Sequence, residues 1–302
     1  MASKKYSFLA GALCLFASAG FAQNTTGGYD VADSTVVPSR RMPQQSEFMQ
    51  GTYNYPAKPR SQTEIGIKVG SFAVAGDVPA KLPGFGGGIH IRKALGYVFS
   101  LRLEYTYKIG KGLNWNPSSN FVNNTAWTGN GYTQANTPRL FYNYRTKVQD
   151  LSLEGLFTLN NVRFHKSKSG LSIYGLAGIG AAWYDTKINA LNGGTRYNFS
   201  TISGAFTHEN RKNIKDQLQN LLDDSYETPA ENEGTRRPKL GGNTLLPVGH
   251  FGGGVAFRLN NRINLALEDR YTITRSDLLD GQRWAEQVNG SPVLTPDYDN
   301  YN

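Results

Sequence analysis

The chain has 302 residues, enough for one or two domains, with 39% hydrophobic residues and a formal charge of +9. A mean hydropathy of -0.46 argues against a helical membrane protein but not against a barrel, whose alternating strands average low even with one face in lipid. Its one cysteine, Cys14, lies in the leader described next, so a mature chain would have no disulfide scaffold, thiol nucleophile or cysteine-based zinc site.

Residues 1–22 read as a signal peptide. Lys4 and Lys5 form a positive start, residues 8–19 an apolar stretch, and Gly20, Phe21 and Ala22 a small-x-small cleavage site. Residues 23–62 are rich in Pro and polar residues without periodicity, and are expected to be a poorly ordered extension.

From residue 63 to residue 302 the pattern is that of an antiparallel all-β fold. Predicted strands cover residues 63–75, 85–93, 99–109, 141–159, 171–187, 244–259 and 263–275. The third is the clearest: Phe99, Leu101, Leu103, Tyr105, Tyr107 and Ile109 alternate with Ser100, Arg102, Glu104, Thr106 and Lys108. In the fourth, Tyr142, Tyr144 and Val148 keep one parity but Leu151, Leu153, Phe157 and Leu159 keep the other, which suggests a β-bulge near Gln149 and Asp150.

The links alternate in length. Those around Gly96 and around Asn260 and Asn261 are tight, and that over residues 160–170 is modest; those over residues 110–140 and 188–243 are long. Short turns at one end and long loops at the other are the habit of membrane barrels. The pattern predicts a transmembrane β-barrel of eight-stranded architecture with seven strands visible, since bacterial barrels carry an even number. The polar stretch 276–302 is expected to be a third outer loop without a strand, with the chain interrupted before strand eight.

The run from Tyr142 to Gly155 resembles the fourth barrel strand of OmpA-type outer-membrane proteins of the Bacteroidota. Residues 174–180 resemble their fifth strand, and residues 215–231 an insert in one of their long loops. The resemblance covers most of the chain from residue 63 and implies an eight-stranded barrel followed by a peptidoglycan-gripping domain. Neither an eighth strand nor that domain is expected within these residues, so peptidoglycan is expected as a partner only through a domain outside them.

With apolar faces toward lipid, the lumen collects Glu64, Lys68, His90, Arg92, Arg102, Glu104, Lys108, Arg258, Glu268 and Arg270, and Glu154 too if the bulge resets its strand. An eight-stranded interior is just filled by side chains, so these charges are expected to pair into a plug; a gated ion path is the alternative. The expected protein is a non-enzymatic barrel of the outer membrane of a Gram-negative bacterium, supporting the envelope and exposing surface loops. A small porin or transport barrel is the runner-up. A third reading is an adhesion module binding through Trp115, Trp127 and Tyr132 of the first long loop.

No cofactor or metal is expected: His90, His165, His208 and His250 show no metal-ligand spacing. His208 with Glu209 or Asp223 could imitate a catalytic group, on proximity in sequence alone. The glycines at 84, 86–88 and 252–254 lie within strands, where they permit close packing rather than cradle phosphate. Over residues 211–226, Ile214, Leu218, Leu221 and Leu222 recur at helical spacing, as a helix that orders the loop or covers the mouth. The positive charge is spread over lumen, turns and tail, which speaks against nucleic acid and favours outer-membrane lipid, including lipopolysaccharide phosphates.

Overall fold

The computed structural model describes residues 17–22, 31–161, 171–230, 238–259, 263–288, 291–294 and 299–302. The leader before Ala17 with Cys14, the basic turn from residue 162 with His165, Glu231, and the turn at Asn260 and Asn261 lie outside the described residues.

The fold is all-β and antiparallel. In chain order, the strands are β1 (Ala17–Ala22), β2 (Gln62–Phe72), β3 (Ala80–Ala94), β4 (Phe99–Leu113), β5 (Asn143–Thr158), β6 (Leu171–Ile188), β7 (Asn243–Arg258) and β8 (Ile263–Ile273). From β2 to β8 each strand pairs with its successor, across the long links as well as the short ones. β1 lies between β8 and β2, with Ala17 opposite both Leu267 and Val69. This strand is not anticipated by the leader assignment. Two facing strand edges carry unpaired N–H and C=O groups, and an extended segment between them satisfies both.

The stretch 276–302 also departs from expectation, since Trp284–Val288 pairs with Ser291–Leu294 and Asn300–Tyr301 forms a short strand. Asn300–Tyr301 enters the slot between β8 and β2 from the long-loop end, opposite Thr272 and Ile273 on one side and Val74–Ala75 on the other.

Polarity is inverted relative to a water-soluble sheet. The outward residues Ile65, Val69, Phe85, Ile89, Leu103, Leu153 and Ile179 are 49–73% exposed. Arg102, Glu104 and Glu154, of the opposite parity, are 0–3% exposed. Glycine makes room for the inward side chains: a Cβ on Gly66 would stand 2.2 Å from the His90 ring, and one on Gly254 2.6 Å from Tyr174.

The bulge expected at Gln149 and Asp150 is absent. β5 keeps unbroken register with both neighbours, and its even-numbered residues stay buried from Tyr144 to Thr158. What changes is the surroundings. In the first half, Tyr144 and Val148 join a large apolar cluster while Arg145 and Lys147 point outward. In the second half, Asp150, Ser152 and Glu154 point inward while Leu151, Leu153 and Phe157 point outward. Among the pairings of β2 to β8, a register shift lies between Lys81 and Phe85, where β3 meets β4.

Both ends are folded. At the long-loop end, Phe121, Trp127, Tyr132, Leu140, Phe141, Tyr197 and Phe199 form a buried aromatic core. The predicted helix is present as Arg211–Leu221 and seals this core with Ile214 and Leu218, both fully buried. At the tight-turn end, the segment expected to be poorly ordered is structured from residue 31 onward. Its helix α1 (Met42–Met49) brings Phe48 together with Val31, Val36, Val37 and Ala57 against Ala94 and Tyr97 of the β3–β4 turn. Gln45 is the latch: its Nε2 donates to Val31 O at 2.7 Å, and its Oε1 accepts from Ala57 N at 3.1 Å.

Candidate functional site: a buried charge network

The site follows from the two-residue period of five strands. β2 directs Glu64 and Lys68 inward, β3 His90 and Arg92, β4 Arg102, Glu104 and Lys108, β5 Asp150 and Glu154, and β8 Glu268 and Arg270. β4 and β8 stand four strands apart, yet Arg102 meets Glu268 through two hydrogen bonds, 2.7 and 2.9 Å. The sheet is therefore curved enough to bring inward side chains of these two strands into direct contact.

Glu104 is the hub. It contacts Lys68 at 2.6 Å, Arg270 at 2.6 Å and Arg102 at 3.3 Å. Arg102 Nε also donates to Glu154 at 2.7 Å, and Arg270 donates to Glu154 at 3.0 Å. Lys68 reaches Glu268 at 2.9 Å, and the Tyr174 hydroxyl donates to the same carboxylate at 2.9 Å. Toward the tight turns, Glu64 pairs with Arg92, with His90 at 3.7 Å.

Toward the long loops the network is closed by a residue from the far end of the chain. Tyr301 donates its hydroxyl to Asp150 at 3.0 Å and stacks edge-on to Phe72. The Lys108 ammonium sits 4.5 Å from the Tyr301 ring centroid and 5.8 Å from that of Phe72. Lys68, Arg92, Arg102, Lys108 and Arg270 thus face Glu64, Glu104, Asp150, Glu154 and Glu268, equal numbers of cations and anions. Apart from Lys108, whose ammonium has no hydrogen-bond partner among the described residues and rests against the two rings, these groups are paired with one another, the condition under which buried charges persist.

The structure brings together every predicted lumen residue except Arg258, which is half-buried at the last position of β7, opposite Asn264. Glu154 joins without a bulge. Asp150, Tyr174, His250 and Tyr301 are the members the sequence reading missed. Asp150 was hidden by the supposed bulge, and His250, on an inward parity of β7, lies 3.4 Å from it.

The loop residues considered for binding are placed differently. Trp127 and Tyr132 are completely buried and pack edge to face with ring centroids 5.3 Å apart, so neither presents a surface to a ligand. Trp115 is half-buried against the same core, its ring 6.3 Å from that of His208. Asp223 accepts the Tyr197 hydroxyl at 2.7 Å, a bond that ties the loop together.

A second polar cluster lies outside the strands. Asp280 accepts from Val78 N at 2.8 Å, and Asp299 from Leu279 N at 2.7 Å. Both carboxyls are 1% exposed. Burial pushes Asp280 up to about 7, and burial together with the neighbouring Asp280 carboxyl pushes Asp299 up to about 9. Among the described residues no group of three or more His, Cys, Asp or Glu is arranged to hold a metal ion.

Comparisons with protein-family models, with curated proteins and with solved structures return no match for this chain.

Proposed function

We propose that this chain is the barrel of an OmpA-like outer-membrane protein of a Gram-negative bacterium, a non-enzymatic element that supports the envelope and presents a folded loop cap. On this reading the curved sheet is a transmembrane β-barrel of eight-stranded architecture, and residues 1–22 are a cleaved leader. The observation that carries it is the inverted polarity: ion pairs buried on one face, with Ile, Leu, Val and Phe exposed along the other. Water rewards the opposite arrangement, and contiguous exposed apolar surface on this scale needs a cover. Lipid is the cover that suits a sheet whose outward residues are apolar over most of their length.

The bonded interior supports a filled lumen over the porin alternative, because Arg102 and Arg270 bridge strands where a channel would need water. The buried state of Trp127 and Tyr132 speaks against adhesion through those rings. On this reading removal of the leader frees the slot between β2 and β8, which Asn300–Tyr301 borders at the long-loop end.

Fractionation of a Gram-negative host expressing the chain tests the reading. The protein should sediment with outer membranes, resist alkaline extraction and migrate differently on gels before and after boiling. Recovery as a soluble periplasmic protein would overturn it.

A further inference from the structure

Resting on that reading, we infer that the outer face of β3–β6, just below the loop cap, is a binding site for a lipid whose head group carries more than one phosphate. Each of these strands changes character at the same stage. On β4 the outward residues run Leu103, Tyr105, Tyr107, Ile109 and then Lys111; on β5, Leu153, Leu151, Gln149 and then Lys147 and Arg145. On β6 they run Ile179, Ala181, Trp183, Asp185 and then Lys187, and on β3 the apolar Phe85 gives way to Lys81.

The register aligns the cations. Lys81 lies opposite Lys111, Lys111 opposite Arg145, and Arg145 opposite Lys187, so four neighbouring strands contribute one continuous row. Lys147, opposite Ile109 and Asp185, adds a fifth cation two positions along β5. Three acids stand in the neighbourhood of the five cations: Asp185, Asp223, which lines a pocket with Lys81, and Asp224, which pairs with Lys111 at 3.1 Å. The excess remains cationic.

Beneath the row lies an apolar surface suited to acyl chains. A groove of about 550 Å³ is lined by Leu82, Phe85, Tyr107 and Ile109 and flanked by Lys81 and Lys111. Tyr105 and Trp183 stand together at the boundary, ring centroids 6.2 Å apart, as aromatic residues do where lipid meets water. Apolar wall, aromatic boundary and cationic rim follow one another in the order of acyl chain, ester level and phosphate. Adjacent strands are about 4.8 Å apart, so the row spans roughly 14 Å, wider than one phosphate group. That width is the reason for assigning a multiply phosphorylated head group, of the bisphosphorylated glycolipid kind found in outer leaflets, in preference to a singly charged glycerophospholipid.

Lys111 and Arg145 also hold the loop, each about 5 Å from the Tyr226 ring (5.0 and 5.1 Å), so the test spares them. The full chain and its K81Q/K147Q/K187Q variant are purified in detergent. Bound lipid is counted by native mass spectrometry after addition of bisphosphorylated lipid A, its dephosphorylated form, phosphatidylglycerol or phosphatidylcholine. The wild type should retain bisphosphorylated lipid A in preference to the other three. The triple variant should lose ~10-fold or more of that retention while keeping its gel shift on boiling. The K81R/K147R/K187R variant should restore it, and Lys93→Gln, at the far end of β3, should leave it unchanged. Equal retention by wild type and triple variant overturns the site, and equal retention of phosphatidylglycerol and lipid A overturns the assignment of several phosphates. A chain that needs no detergent and shows no gel shift on boiling would overturn the membrane reading itself.

Discussion

Arg102 illustrates how much one side chain carries when charges are buried together. It bonds Glu154 and Glu268 directly and lies within 3.3 Å of Glu104. Arg102→Met would leave these carboxylates facing one another, and loss of one partner from such a cluster is destabilising by roughly 3–5 kcal/mol. The midpoint of thermal unfolding in detergent should fall markedly, and R102M/E268M should recover part of the loss because fewer unpaired charges remain. An unchanged midpoint for the single variant would mean that the network is dispensable. Asp280 and Asp299 act in the opposite sense. Their carboxyls bind protons more tightly folded than unfolded, so their contribution to stability is fully present below the unfolded value near 4 and is lost as pH rises through about 7 and about 9. Proteolysis within residues 276–288 should therefore quicken between pH 6 and pH 9 relative to an unstructured control peptide, and D280N/D299N should flatten that dependence. A flat profile in the wild type would show that the carboxyls do not govern docking of this segment.

At the scale of elements, the N-terminal segment behaves as a folded cap on the tight-turn end. Gln45→Ala would leave the Val31 carbonyl and the Ala57 amide without their partner, a loss of ~1–3 kcal/mol, whereas Tyr97→Phe removes one hydrogen bond to Ala57 O, about 0.5–1.5 kcal/mol. Limited proteolysis of residues 31–60 should rank the two variants in that order, and equal protection in both would count against the latch. The cap was illegible in the sequence because Val31, Val36, Val37 and Phe48 follow no helical or strand period and meet Ala94 and Tyr97, which lie far along the chain. The strands were legible because a period of two needs only local reading, and the inward charges followed from the same period. Asp150 was lost because a change of environment along β5 looks like a change of register when only hydrophobicity is visible. Trp127 and Tyr132 were misread for a related reason: an aromatic ring in a loop looks the same in sequence whether it is exposed or sealed beneath Ile214 and Leu218.

For the whole molecule, the interior and both ends are occupied by the protein's own side chains. Planar-bilayer recordings of the purified chain should show no large, steady conductance, and a stable open level of porin size would contradict the filled interior. The two halves of β5 carry a further consequence. A single residue inserted between Gln149 and Asp150 would carry Arg145, Lys147 and Gln149 to the inner face and Tyr144 and Val148 to the outer one. The strand would then read as a uniform amphipath, polar within and apolar without from end to end. It would be a tidier sequence and a worse protein, with two cations thrust among the aromatic rings of the loop core and an apolar stripe raised into water. Irregularity in the letters is here the mark of a straight strand whose inner face passes from an apolar core to a charged network.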